Sequence, residues 1–176
     1  MAMGYHWDMD RRSHPYREVQ SPDCPESQGA GSIITSVDDL IRWVKCLMYH
    51  EQPINSAVYH GLVRTRSFAN PGAENLKPFT SPVFCAAGLE VYYYRGHMVV
   101  GHDGEIPGFS SRFIFLPDLK FGAVILGNSQ GVVHVANEIC HQLVDAILKV
   151  PLMADSCNQL HGAVKQGEGR ERTNNQ

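Results

Sequence analysis

Between Cys85 and Ser129 the chain passes through four strand-like runs whose connections are too short to hold a helix. CAAGLEVYYYRG is rich in β-branched and aromatic residues up to a turn at Arg95-Gly96. HMVVGHDG starts apolar and ends polar. GFSSRFIFLPD alternates, with Phe113 and Phe115 on one face and Arg112, Ile114 and Leu116 on the other. After a turn at Pro117-Asp118, FGAVILGNS is continuously apolar, as expected of a central strand covered on both faces. Parallel neighbours would need long crossovers, so short connections predict an antiparallel meander.

Helical patterns flank these runs. Ser36-x-x-Asp39 resembles a capping box, and Val37, Leu40, Ile41, Val44, Leu47 and Met48 recur at helical spacing to about residue 49. A weaker helix is predicted from Asn55 or Ser56, carrying Val58 and Leu62. Residues 67–83 are rich in turn signals. Gly131 to Val150 reads as a helix with a wide apolar stripe that covers the sheet. The fold class is therefore α+β, an antiparallel sheet covered by helices. Residues 1–30, with Pro15, Pro22, Pro25 and Gly29, read as an extended surface loop. Residues 1–150 form one unit, and the polar segment 151–176 is expected to be disordered.

The formal charge of −3 and the absence of a basic run argue against a nucleic-acid or membrane surface. The apolar run Ala123–Leu126 is too short to span a bilayer, and the first residues lack a signal core. Five dispersed cysteines without a C-x-x-C pair read as free thiols in a reducing compartment, which favours the cytoplasm. Cys46 and Cys140 fall on apolar helical faces and are expected in the core. No H-E-x-x-H or tight Cys/His cluster occurs, so no metal or cofactor is expected.

The polar knot His102-Asp103-Gly104-Glu105 interrupts the apolar runs and admits two readings. Asp-Gly is a good turn pair, so the knot could be a hairpin turn. Its connector, however, carries Gly104 and Gly108 around Pro107 and sets polar atoms at a strand end. Glycine there lets a ligand come close, and a free backbone N–H can stabilise a developing oxyanion. Asp103 and Glu105 are a minor candidate for a glycosidase carboxylate pair. Ser110 and Ser111 lack a G-x-S-x-G elbow and read as strand residues. Gly29-x-Gly31 lacks the rest of a dinucleotide fingerprint.

The run GHDGEIPGFSSRFIFLPDLKFGAVILGNS resembles the C-terminal part of the serine β-lactamase and penicillin-binding-protein-like family, in its class C-like esterase and acyltransferase branch. His102-Asp103-Gly104 is similar to that family's His-x-Gly triplet, and Pro107-Gly108-Phe109 to the turn after it. Upstream, GAGSIITSVDDLIRWVKCLM resembles the family's glycine-rich helix start through Gly29, Ala30, Gly31, Thr35, Ser36, Asp39 and Leu40, with Ser32 in place of a glycine.

The resemblance implies that His102 faces the nucleophile pocket and bonds substrate or a catalytic tyrosine. It implies that Gly104 leaves room for the acyl group. The backbone N–H of Glu105 would be half of an oxyanion hole, paired with the serine's own N–H. The family's nucleophile sits in Ser-x-x-Lys and its second proton-transfer group in Tyr-x-Asn, and neither motif occurs in this chain. Tyr92, Tyr93 and Tyr94 are expected to pack. The expectation is thus a truncated, inactive portion of a serine hydrolase or acyltransferase, completed by a missing N-terminal half that would bring the small-molecule acyl substrate its nucleophile. The alternative is a non-catalytic pseudoenzyme or binding module. The family's sheet has further strands, one beside the strand matching FGAVILGNS, so self-association through that strand near Phe121 is also expected.

Overall fold

A computed structural model describes residues 2–8, 15–20, 25 and 28–151. The expected disordered segment lies outside them apart from Pro151, as do Cys24 and Cys157. The strands predicted between Cys85 and Ser129 form the heart of a six-stranded antiparallel sheet whose order follows the chain. It comprises β3 (Ser67–Phe68), β4 (Phe84–Cys85), β5 (Glu90–Tyr94), β6 (His97–Ile106), β7 (Phe109–Leu116) and β8 (Phe121–Gly127). β1 (Gly4–Trp7) and β2 (Tyr16–Val19) form a separate antiparallel pair. The helices are a short α1 (Gln28–Gly31), then α2 (Val37–Tyr49), α3 (Ser56–Val63) and α4 (Val132–Ile147).

The helix ends form where local chemistry satisfies the backbone. Ser36 Oγ accepts from the Asp39 N–H at 3.1 Å, and Asn55 Oδ1 accepts from the Val58 N–H at 2.9 Å. α2 stops at His50 in a left-handed conformation. The alternation of β7 divides two apolar clusters. Phe113 and Phe115 face α2 and α3, with Val44, Leu47, Val91 and Val100; Ile114 and Leu116 face α4, with Tyr92, Tyr94, Val99, Cys140 and Val144. Cys140 is buried, and Cys46 packs partly buried against the first cluster.

Three expectations are corrected. β8, expected to be a central strand covered on both faces, is the last strand of the sheet among the described residues, and each of its residues is only partly buried. Residues 1–30 are not a plain loop. The Tyr5 N–H donates to the Asn128 carbonyl at 3.0 Å, and the Gln130 N–H donates to the Tyr5 carbonyl at 3.0 Å. β1 thus lies against the chain just after β8, a long-range pairing that local composition does not reveal. Nor is Asp103-Gly104 a turn. β6 continues through the knot to Ile106, with Asp103 opposite Arg112 and Gly104 opposite Ser111. The reversal falls at Pro107-Gly108, where Gly108 has a φ of 82°, a value few other residues tolerate.

Candidate active site

β6 outruns its neighbour. β5 begins at Glu90, which pairs with Gly101, so among the described residues, positions 102–106 have a strand partner on the β7 side only. Which backbone groups lie on the open side follows from the hairpins. Residues flanking a two-residue turn form the hydrogen-bonded pair. Tyr94 and His97 flank the Arg95-Gly96 turn, and Ile106 and Phe109 flank Pro107-Gly108. Both turns agree that odd-numbered residues of β6 direct N–H and C=O toward β5 and even-numbered ones toward β7. The N–H groups of Asp103 and Glu105 therefore lie in the row that β5 leaves unpaired.

Side chains alternate across the sheet at the same place. His102 is exposed on the α2 face and lines a cleft of about 270 Å³ with Ile33, Leu40, Trp43, Leu62, Leu89 and Phe113. Gly104 shares that face. A Cβ built on it would fall inside contact distance of Ser111 Oγ, so the cross-strand serine occupies the space a side chain would need. The three residues singled out from the sequence thus lie together on one strand end, two by side-chain face and Glu105 by its backbone.

The opposite face carries an ionic network. Arg112, 4% exposed, donates from Nη1 to Asp103 Oδ1 and from Nη2 to the Tyr92 hydroxyl at 3.2 Å. Asn137 of α4 donates to Asp103 Oδ2 at 3.3 Å. Burial works against the guanidinium's charge, but Tyr92 and Asp103 outweigh it and its pKa is raised. Burial, then the charge of Asp103, raises the Glu90 carboxyl. Glu105 Oε1 accepts from the Gly131 N–H at the start of α4, at 3.1 Å. Both acids of the suggested glycosidase pair are thereby engaged with partners within the protein. Ser110 is buried and donates to the Ser129 carbonyl at 3.1 Å, which fits a strand residue. Tyr92 and Tyr94 are buried as expected, whereas Tyr93 is exposed. Among the described residues no group of His, Cys, Asp and Glu is arranged to hold a metal ion.

Residues 2–143 match the Beta-lactamase family. The chain belongs to that family. Its relatives include the unguisins hydrolases of Aspergillus violaceofuscus, 31% identical over 86% of this chain, and of Aspergillus campestris, 26% identical over 85%. The chain spans 29% and 27% of those proteins' own lengths. The octameric penicillin-binding protein homologue from Pyrococcus abyssi shares the fold, with a TM-score of 0.58 over 74% of this chain and 27% of its own, at 22% identity.

In this Beta-lactamase-family chain the glycine-rich stretch before α2 is exposed and approaches the end of β6. A Cβ on Gly31 would lie 3.8 Å from the Ile106 side chain. The network around Asp103 was missed from the sequence, although a signal existed. Residues 103 and 112 are equidistant from Pro107-Gly108, so placing the turn there makes them cross-strand partners. Placing it at Asp103-Gly104 hides the pair. Asn137 and Trp43 join the site through tertiary packing and left no comparable signal.

Proposed function

We propose that this chain supplies one wall of a serine hydrolase or acyltransferase site that acts on an ester, amide or β-lactam bond through an acyl-enzyme. The observation that carries the proposal is the end of β6, where His102 opens onto a cleft beside N–H groups that have no strand partner among the described residues. His102 would bond the substrate or a proton-transfer group, Gly104 would keep the strand surface low, and the Glu105 N–H would donate to the developing oxyanion. The nucleophile would come from residues outside this sequence, which contains no Ser-x-x-Lys and no Tyr-x-Asn. Alone, the chain would therefore have no turnover. The hydrolase names of the two fungal relatives favour hydrolysis over acyl transfer. The missing nucleophile motif also supports a second reading, a non-catalytic binding module of the same fold.

The test adds a nucleophile-bearing half from a family relative and follows labelling by fluorophosphonate and penicillin probes. The chain alone should acquire no serine adduct, and the mixture should be labelled on the partner's serine. Glu105→Ala keeps the N–H and should change the rate little. Glu105→Pro removes it and should slow labelling by about 10²-fold, the typical effect of losing one oxyanion donor. His102→Ala should also slow the reaction. An adduct on a serine of the chain alone would overturn the division of roles, and an unlabelled mixture would favour the binding module.

A further inference from the structure

Beyond Gly101 the backbone ladder of the described residues holds β6 from one side only, and a half-paired strand end is where local opening is easiest. Side chains take over where the backbone stops. Tyr92 of β5 binds Arg112, Arg112 binds Asp103, and Asn137 of α4 binds the other oxygen of Asp103. β5 thus reaches the site segment through a side-chain relay that its own backbone cannot supply. The relay is placed to be specific. Asp103 and Arg112 form a non-hydrogen-bonded cross-strand pair, the geometry in which opposite side chains approach most closely.

Stability alone does not account for it. A buried carboxylate–guanidinium pair often gives no more stability than well-packed apolar residues of similar volume. Here the guanidinium also keeps Nε buried without a hydrogen-bond partner. What the relay offers over an apolar pair is direction, since it ties one point of β6 to β5, β7 and α4 together.

We propose that Asp103 is a positioning residue, held by Arg112 and Asn137, that fixes the His102–Glu105 segment for the chemistry proposed above. This rests on that functional reading, but its test needs no nucleophile. Amide hydrogen exchange is measured on the chain itself and on Asp103→Asn. The reporters are the N–H groups of 102, 104 and 106, which face β7, with those of Ala123 and Ile125 in β8 as controls. Exchange should rise about tenfold at the three reporters, equivalent to about 1.4 kcal/mol, and stay unchanged at the controls. A rise shared by reporters and controls would show a merely structural role, and no rise would show that the relay does not hold the strand. Either result overturns the proposal while leaving the acyl-site reading to its own probes. Should Asp103→Asn fail to fold, Asn137→Ala keeps the ion pair and should still speed exchange severalfold, confined to the same reporters; uniform or absent acceleration there overturns the proposal equally.

Discussion

Gly101 and Gly104 stand three residues apart on β6 and oppose an added methyl group in different ways. At Gly101 a Cβ would press on the Phe113 carbonyl and lie 3.3 Å from the Ile114 Cα, which are backbone atoms that cannot step aside. At Gly104 its close neighbour would be Ser111 Oγ, the end of a side chain that can rotate. Gly101→Ala should therefore destabilise by about 1–3 kcal/mol, in the range of core overpacking. Gly104→Ala should cost clearly less, and Ser111→Ala should remove most of that cost. Urea unfolding of the single and double variants measures both. Equal costs at the two glycines would show that the space above Gly104 is as closed as the core.

At the scale of elements, α4 joins the site strand to the second core cluster and carries a pH-sensitive group. His141 packs edge-on to Tyr94, with ring centroids 5.0 Å apart, and its Nδ1 lies 2.7 Å from the Asn137 carbonyl. Burial lowers its pKa from the usual 6.5, the Asn137 carbonyl pulls it back up, nearby Lys77 and Arg112 lower it further, and Glu138 raises it. A histidine kept neutral in the fold binds fewer protons than in the unfolded chain. Its contribution is complete above pH 6.5 and is lost as the pH falls through its lowered folded value. Glu138 is held below its usual 4.5, chiefly by the Lys77 hydrogen bond, so its contribution is lost at more acid pH. The His141 contribution should therefore begin to be lost just below pH 6.5, ahead of that of Glu138, while Glu90, whose pKa is raised, acts in the opposite sense as it takes up its proton. His141→Gln should flatten that first step and leave the acid one in place. Denaturant midpoints measured from pH 7.5 to 4 would reveal an unchanged first step if another histidine were responsible.

For the whole molecule the decisive surface is the outer edge of β8, the last strand of the six-stranded sheet. The register that turns odd residues of β8 toward β7 leaves Gly122, Val124 and Leu126 with their backbone groups outward. Tyr5 bonds the continuation of this row at Asn128 and Gln130 but leaves those three without a strand among the described residues. Natural edges are usually blunted by lysine, proline or a bulge, and the sequence between Phe121 and Ser129 contains no lysine or proline. α4 adds exposed apolar side chains at Val135, Ile139, Leu143 and Ile147. The chain should self-associate through β8 at micromolar concentration, seen as oligomers in sedimentation velocity. Leu126→Pro, placed on the outward row, should shift it toward monomer. A wild-type chain that sediments as a stable monomer would refute the open-edge account. No helix of the described residues is long and apolar enough to cross a membrane.

The meander, the two faces of β7, the Ser36 and Asn55 helix starts and the closing helix were legible in the sequence. Each depends on interactions between residues near one another in the chain, through side-chain period, capping chemistry and short turns. His102-Asp103-Gly104 is likewise contiguous, so its resemblance to the family's His-x-Gly triplet could be noticed in the sequence itself. Turn chemistry alone did not place the reversal at Pro107-Gly108, because Asp103-Gly104 and Pro107-Gly108 are both competent turn pairs and the choice falls to the pairing of β6 with β7 over its full length; only the family resemblance likened Pro107-Gly108-Phe109 to a turn. Tertiary structure alone decided that β5 stops at Glu90 and leaves the Glu105 N–H without a strand partner among the described residues. It also brought Asn137 to Asp103 and set β1 beside Ser129, by contacts between residues far apart in sequence, whose geometry local composition does not encode.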